Sequence, residues 1–140
     1  MAMSAARKLQ KRDGKAASYP VTTGVILYGG ALVVMATTGY CRPGRASTTD
    51  RVLGCVEKTV DNSGGADGAV TARVHFGVFC FKNSSAGDAI TYADVGNQCY
   101  VVDDQTVAKT SNTNARIVAG RIIDVDSDGV WVDVRPGGQA

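Results

Sequence analysis

From residue 21 onward, apolar positions come in short bursts separated by glycine-rich or acidic turns, and no stretch has the spacing of an amphipathic helix. Residues 25–28 and 31–35 flank Gly29-Gly30, which predicts a tight hairpin. Residues 40–49 read as a polar loop, 51–60 as a strand and 61–68 as a loop rich in Asn, Ser, Asp and Gly. In the run 69–82, Val70, Ala72, Val74, Phe76, Val78 and Cys80 alternate with Thr71, Arg73, His75, Gly77, Phe79 and Phe81. The alternation is clean at first and then blurs, as when both faces of one long strand become buried. A turn at 83–87 and a short strand or bend at 89–92 precede a strand at 98–102. Asp103-Asp104 then turns the chain into 106–108. Residues 116–125 and 130–134 form a last hairpin closed by Asp126-Ser127-Asp128-Gly129. About eight or nine short strands at this spacing predict an all-β fold, a small β-barrel or sandwich of antiparallel strands.

Composition agrees with that reading. The chain has 140 residues, 17 of them glycine and 3 proline, with only 6% aromatic side chains. This suits one domain of many strands and tight turns, large enough to fold without a metal or disulfide. Charge divides it further. Residues 1–20 carry five basic side chains (Arg7, Lys8, Lys11, Arg12 and Lys15) against Asp13 alone, whereas the remainder holds 10 basic and 12 acidic side chains. The expected organisation is therefore a basic, extended N-terminal arm at 1–20, a β-barrel domain at 21–136 and a short tail at 137–140. A helix from Ser4 to Lys11 would place Arg7-Lys8 and Lys11-Arg12 on one side, and Gly14 and Pro20 would limit it. Such an arm suits attachment to an acidic surface. The body lacks a basic stripe with interleaved aromatics, so partner-protein contact is preferred to phosphate contact or to a solvated tail. Arg7, Lys8, Lys11, Arg12 and Lys15 are accordingly the expected binding residues.

The candidates for chemistry are weak. Cys41, Cys55, Cys80 and Cys99 show no C-x-x-C spacing and, with a single His75, do not complete a usual zinc set. They read as reduced thiols buried beside strands. The opening segment lacks the apolar core of a signal peptide, and the run 25–36 is too short to span a bilayer. His75 shares a strand face with Arg73 and has no acid near it in sequence, so it reads as structural rather than as the base for Cys80 or Cys99. Asp124, Asp126 and Asp128 match the opening of a calcium loop, but the position for the bidentate glutamate holds Arg135 and the flanks are strands. A hairpin bend accounts for them. Asp103-Asp104 and the pairs Gly29-Gly30, Gly64-Gly65 and Gly137-Gly138 likewise read as turns or tail. The expectation is no catalytic residue, no metal and no cofactor.

The order of these strands and turns resembles the small head-decoration, or cement, proteins of tailed bacteriophages. The resemblance is carried by the early pair around 25–35, the run 69–82, Ala86-Gly87-Asp88-Ala89-Ile90 and residues 96–108 (GNQCYVVDDQTVA). The closing segment 119–133 (AGRIIDVDSDGVWVD) completes it. It does not extend to the arm. It implies a non-enzymatic barrel closed by a terminal hairpin with a buried Trp131. Such a protein binds the outside of an expanded capsid and bridges neighbouring major capsid protein subunits. Self-association is implied too, with a trimer favoured over a dimer, no membrane contact, synthesis in the host cytoplasm and a final place on the virion exterior. The rival reading is a particle-displayed module that binds carbohydrate or a host surface through Tyr40, Tyr92, Tyr100 and Trp131.

Overall fold

In a computed structural model, which describes residues 1–12 and 14–138, the chain is almost entirely β. Its strands are β1 (Ala16–Pro20), β2 (Ile26–Leu27), β3 (Leu32–Met35), β4 (Cys41–Pro43), β5 (Arg51–Val56), β6 (Val60–Asp61), β7 (Thr71–His75), β8 (Gly77–Phe81), β9 (Gln98–Val101), β10 (Val107–Ala108), β11 (Val118–Asp126) and β12 (Gly129–Val134). Two single-turn 3-10 helices, Ala86–Asp88 and Tyr92–Asp94, lie between β8 and β9. No helix among the described residues is long and apolar enough to cross a membrane.

Two five-stranded sheets form the body, ordered β1-β7-β5-β3-β4 and β10-β9-β11-β12-β8, with β2 and β6 as a separate ribbon. Every strand pairing is antiparallel. Each sheet curls until its outer strands approach at one end. A parallel bridge from Val21 to Cys41 joins them in the first sheet, and one from Lys82 to Thr106 in the second.

Two apolar clusters explain why the sheets stay together. Leu32, Val52 and Cys55 of the first sheet pack against Phe81, Cys99, Val101, Ile122, Val130, Val132 and Val134 of the second. On the opposite face of the first sheet, Val33, Leu53 and Val56 join Val21, Leu27, Cys41, Ala72 and Val74. Strands β3 and β5 therefore bury both faces, which is why neither alternates with polar residues after the exposed Arg51 that opens β5. Each such side chain contributes about 1.5–3 kcal/mol by leaving water. Gly54 in β5 is required by close approach: a Cβ there would collide with the carbonyl oxygen of His75 on β7.

Three sequence expectations change. The Gly29-Gly30 turn forms, with the Ala31 N–H donating to the Tyr28 carbonyl at 2.9 Å, but its flanks do not pair with each other. Strand β2 pairs with β6, and β3 lies between β4 and β5. Only Gly30 of the two glycines has positive φ, at 93°. That is the type II arrangement, which splays the flanking strands, whereas a hairpin needs positive φ at the first central residue. The predicted strand 51–60 divides into β5 and β6, which belong to different sheets. The run 69–82 is also two strands. It crosses from the first sheet to the second at Phe76-Gly77, where Gly77 adopts φ 145°. Ala72 and Val74 point inward in β7, but in β8 the inward residues are Phe79 and Phe81 while Val78 is 47% exposed. The blurred alternation was a shift of phase between two sheets.

The terminal hairpin matches its expectation, with β11 paired to β12 from Arg121↔Asp133 to Asp126↔Gly129. Trp131 is only half-buried, on the outer face, because Val130, Val132 and Val134 fill the inward positions. Within the segment expected to be arm, Ala16–Pro20 is strand β1 of the first sheet, held along β7 from Ala16↔His75 to Pro20↔Thr71.

Candidate interaction surface at the first strand

Residues 1–12 contain neither helix nor strand and are exposed throughout. The expected helix from Ser4 to Lys11 is not formed, so no helical face gathers Arg7-Lys8 and Lys11-Arg12 on one side. An isolated helix that short gains too few hydrogen bonds to offset nucleation, and no neighbouring element packs on it. Arg7, Lys8, Lys11 and Arg12 are all solvent-exposed. Lys15, also exposed, is fixed by its backbone, since its carbonyl accepts the Phe76 N–H at 2.8 Å. Among the described residues, the ion pairs involve Arg45, His75, Lys109, Arg116 and Arg135, all in the body.

The arm leads into the open side of β1. In the register with β7, Val21 and Lys15 make ladder hydrogen bonds to Val70 and Phe76, so odd-numbered residues of β1 direct N–H and C=O toward β7. The even-numbered residues Ala16 and Ser18 direct theirs away from β7, whereas past Pro20 that side of the strand meets β4, where the Thr22 N–H donates to the Cys41 carbonyl at 2.9 Å. Pro20 has no N–H to offer, which fits an edge position. A groove of about 470 Å³ runs here, lined by Arg12, Ala16, Ala17, Ser18 and Arg73. Arg73 is opposite Ser18 in register and is exposed. Beside them, Tyr19 has its hydroxyl pKa raised by burial and by Cys41, with the Arg12 guanidinium acting in the opposite direction. Sequence reasoning missed Arg73 and the strand edge. The signal was present in the alternation of Ala17, Tyr19 and Val21 with Ser18 and Pro20.

A second concavity, about 630 Å³, lies where β7 passes into β8 and is lined by Lys15, Gly30, Cys55, Glu57, His75, Phe76, Phe79 and Cys80 among others. Although no acid lies near His75 in sequence, the fold brings one to it: its Nε2 lies 3.5 Å from Glu57 Oε2, an ion pair when the ring is protonated. The cleft thus gathers two thiols, an imidazole, a carboxylate and an ammonium group. Burial nevertheless pushes Cys55 up to about 12, and burial together with Asp126 and Asp128 raises Cys80. Both shifts suppress the thiolate that nucleophilic chemistry requires. Cys99 is also held up at about 12 by burial, within the cluster between the two sheets.

All four cysteines are free; Cys41, Cys55 and Cys99 are buried and Cys80 is half-buried. In the acidic bend, Asp126 Oδ1 accepts the Asp128 N–H at 2.9 Å, and its Oδ2 accepts the Trp131 indole N–H at 2.9 Å. Those carboxylate oxygens close a turn and tether the indole. No group of three or more His, Cys, Asp or Glu is placed to hold a metal among the described residues. Of the aromatics named for surface binding, Tyr92 is 71% exposed, while Tyr40, Tyr100 and Trp131 are half-buried. Tyr28, 60% exposed at the Gly29-Gly30 turn, was not anticipated.

No family model, curated protein or solved structure matches the chain.

Proposed function

We propose that this protein is a non-enzymatic structural component of a phage virion. In this reading it binds the outer surface of the capsid, bridges neighbouring major capsid protein subunits and self-associates, a trimer being favoured. It would be made in the host cytoplasm and act on the capsid exterior. The observation that carries the reading is the exposed basic segment, Arg7, Lys8, Lys11 and Arg12, leading directly into a sheet edge. A chain that binds only the expanded shell stabilises that state by mass action, and an arm that orders on a neighbour couples two subunits through one molecule. Co-sedimentation with expanded shells tests this. The full chain should pellet with shells and raise their melting temperature, and removal of residues 1–12 should weaken pelleting at least about tenfold. A full chain that stays in the supernatant overturns the reading.

The rival reading, a particle-displayed module for carbohydrate or a host surface, is favoured by Tyr28 and Tyr92, whose exposed rings offer stacking platforms. Glycan binding abolished by Tyr92→Ala, with shell binding unaffected, would select it.

A further inference from the structure

We propose that the open edge of β1 takes up an acidic, extended segment of a partner protein as an additional strand, with the partner's carboxylates held by Arg12 and Arg73. This rests on the structural-protein reading above and names the chemistry of the contact. Beyond Pro20 the edge is closed by the bridge from Val21 to Cys41, while Ala16 and Ser18 present a matched set of outward N–H and C=O groups. These are the groups by which an extended peptide adds to a sheet. The side chains along this edge are small, so a second backbone can approach to strand spacing. Natural edges are usually blunted by inward charges, bulges or a covering element. Here β4 closes the Pro20 end through the Val21–Cys41 bridge and Lys15 stands at the other, which leaves Ala16 and Ser18 as the accessible stretch.

Charge selects the occupant. The groove carries two guanidinium groups, Arg12 and Arg73, with Lys15 at the end of the strand, and no acidic residue lines it among the described residues. A second copy of β1 would bring the same cations against one another, which disfavours pairing between identical edges. The chain's own acidic run, Asp124, Asp126 and Asp128, belongs to the β11–β12 hairpin and its turn. An acidic strand from a different protein meets both requirements: its backbone completes the ladder, and alternate carboxylates lie on the face that carries Ser18 and Arg73. Arginine suits this role because its planar fork can bind a carboxylate through two parallel hydrogen bonds.

The test uses the full chain and two fluorescein-labelled probes, short peptides of alternating glutamate and valine or of alternating lysine and valine, read by fluorescence anisotropy. The glutamate peptide should bind at least about tenfold more tightly than the lysine peptide. Arg12→Glu combined with Arg73→Glu should remove that preference. Ser18→Pro deletes an outward N–H and should weaken the glutamate peptide about tenfold while leaving the thermal melt unchanged. Should Ser18→Pro disturb folding, the charge-reversal pair, which spares the strand backbone, decides alone. Equal binding of both peptides, or wild-type binding by the charge-reversal variant, overturns the proposal. A dimer in sedimentation that Ser18→Pro dissolves also overturns it, in favour of a second copy as occupant. Peptide binding without pelleting on shells would leave the edge site standing and remove the capsid reading. Pelleting without peptide binding would do the reverse.

Discussion

Strands β7 and β8 are neighbours in a single apolar run, yet they belong to different sheets and present opposite surfaces. β7 lies in the first sheet between β1 and β5, with Ala72 and Val74 buried in the cluster on one face and Thr71, Arg73 and His75, less buried, on the face that Cys55 shares. β8 lies at the edge of the second sheet beside β12, with Phe79 and Phe81 toward the core and Val78 and Cys80 outward. Each is seated against a glycine on its partner strand. Gly54 of β5 admits the His75 carbonyl, and Gly129 of β12 admits the Phe81 carbonyl. The change falls at Phe76-Gly77, where Gly77, the first residue of β8, has positive φ; the buried positions are even-numbered before it and odd-numbered after it. A change of sheet can therefore be hidden inside what reads as one continuous strand.

The contrast is most easily broken at Gly54. Gly54→Val places side-chain atoms against the backbone of β7, which cannot yield without parting from β5. A loss of more than about 4 kcal/mol, read by urea unfolding, is expected, enough to leave much of the protein unfolded. Next comes the phase of β8. Phe81→Ala should cost about 3–5 kcal/mol and Val78→Ala less than about 0.5 kcal/mol. If Val78→Ala were the costlier of the two, the phase shift would be wrong. Gly77→Ala forces a side chain into the positive-φ region and should lose about 1–3 kcal/mol, with the loss falling on the crossing rather than on either core.

Thiol chemistry separates the two strands from their buried surroundings on a finer scale. Cys80 on β8 should react with a thiol reagent first, and Cys41, Cys55 and Cys99 only as fast as the protein opens. Burial raises Cys41 to about 11 and Cys55 and Cys99 to about 12, from an ordinary value of 9.0. The folded state thus holds these protons more tightly than the unfolded chain. The stability they support is complete below pH 9 and is lost as pH rises from there toward 12. An unfolding midpoint that stayed flat across that alkaline window would contradict the burial of these thiols. The smallest effect is at the other end of the first sheet. Removing residues 1–12 should change stability by less than about 0.5 kcal/mol, since the body's two apolar clusters involve none of them.

Much of this was legible before the fold was known, and for local reasons. The 130–134 alternation places Val130, Val132 and Val134 on one face, and Asp-Gly at the bend supplies the turn, so the β11–β12 hairpin can be read from neighbouring residues alone. The same holds for the burial of Cys55 and Cys99 beside strand-like runs and for the exposure of Arg7, Lys8, Lys11 and Arg12. The β2–β6 ribbon was not legible, because Gly29-Gly30 is compatible with both a hairpin turn and a type II turn, and only the Gly30 N–H bonding to Val56 separates them. Nor was the pairing of His75 with Glu57, which lie on segments far apart in sequence.

The sequence by itself determined the class of the protein. Short valine-rich runs between glycine turns have no face to bury as helices, so they must pair as strands, and the concentration of cations ahead of residue 16 follows directly from their order in the chain. Only the tertiary structure decided which strands pair, where the run 69–82 changes sheet and that Ala16–Pro20 is an edge rather than part of an arm. The physical reason is that alternation reports which residues of a strand share a face, whereas hydrogen-bonded partners are chosen by distant segments that compete for the same backbone groups.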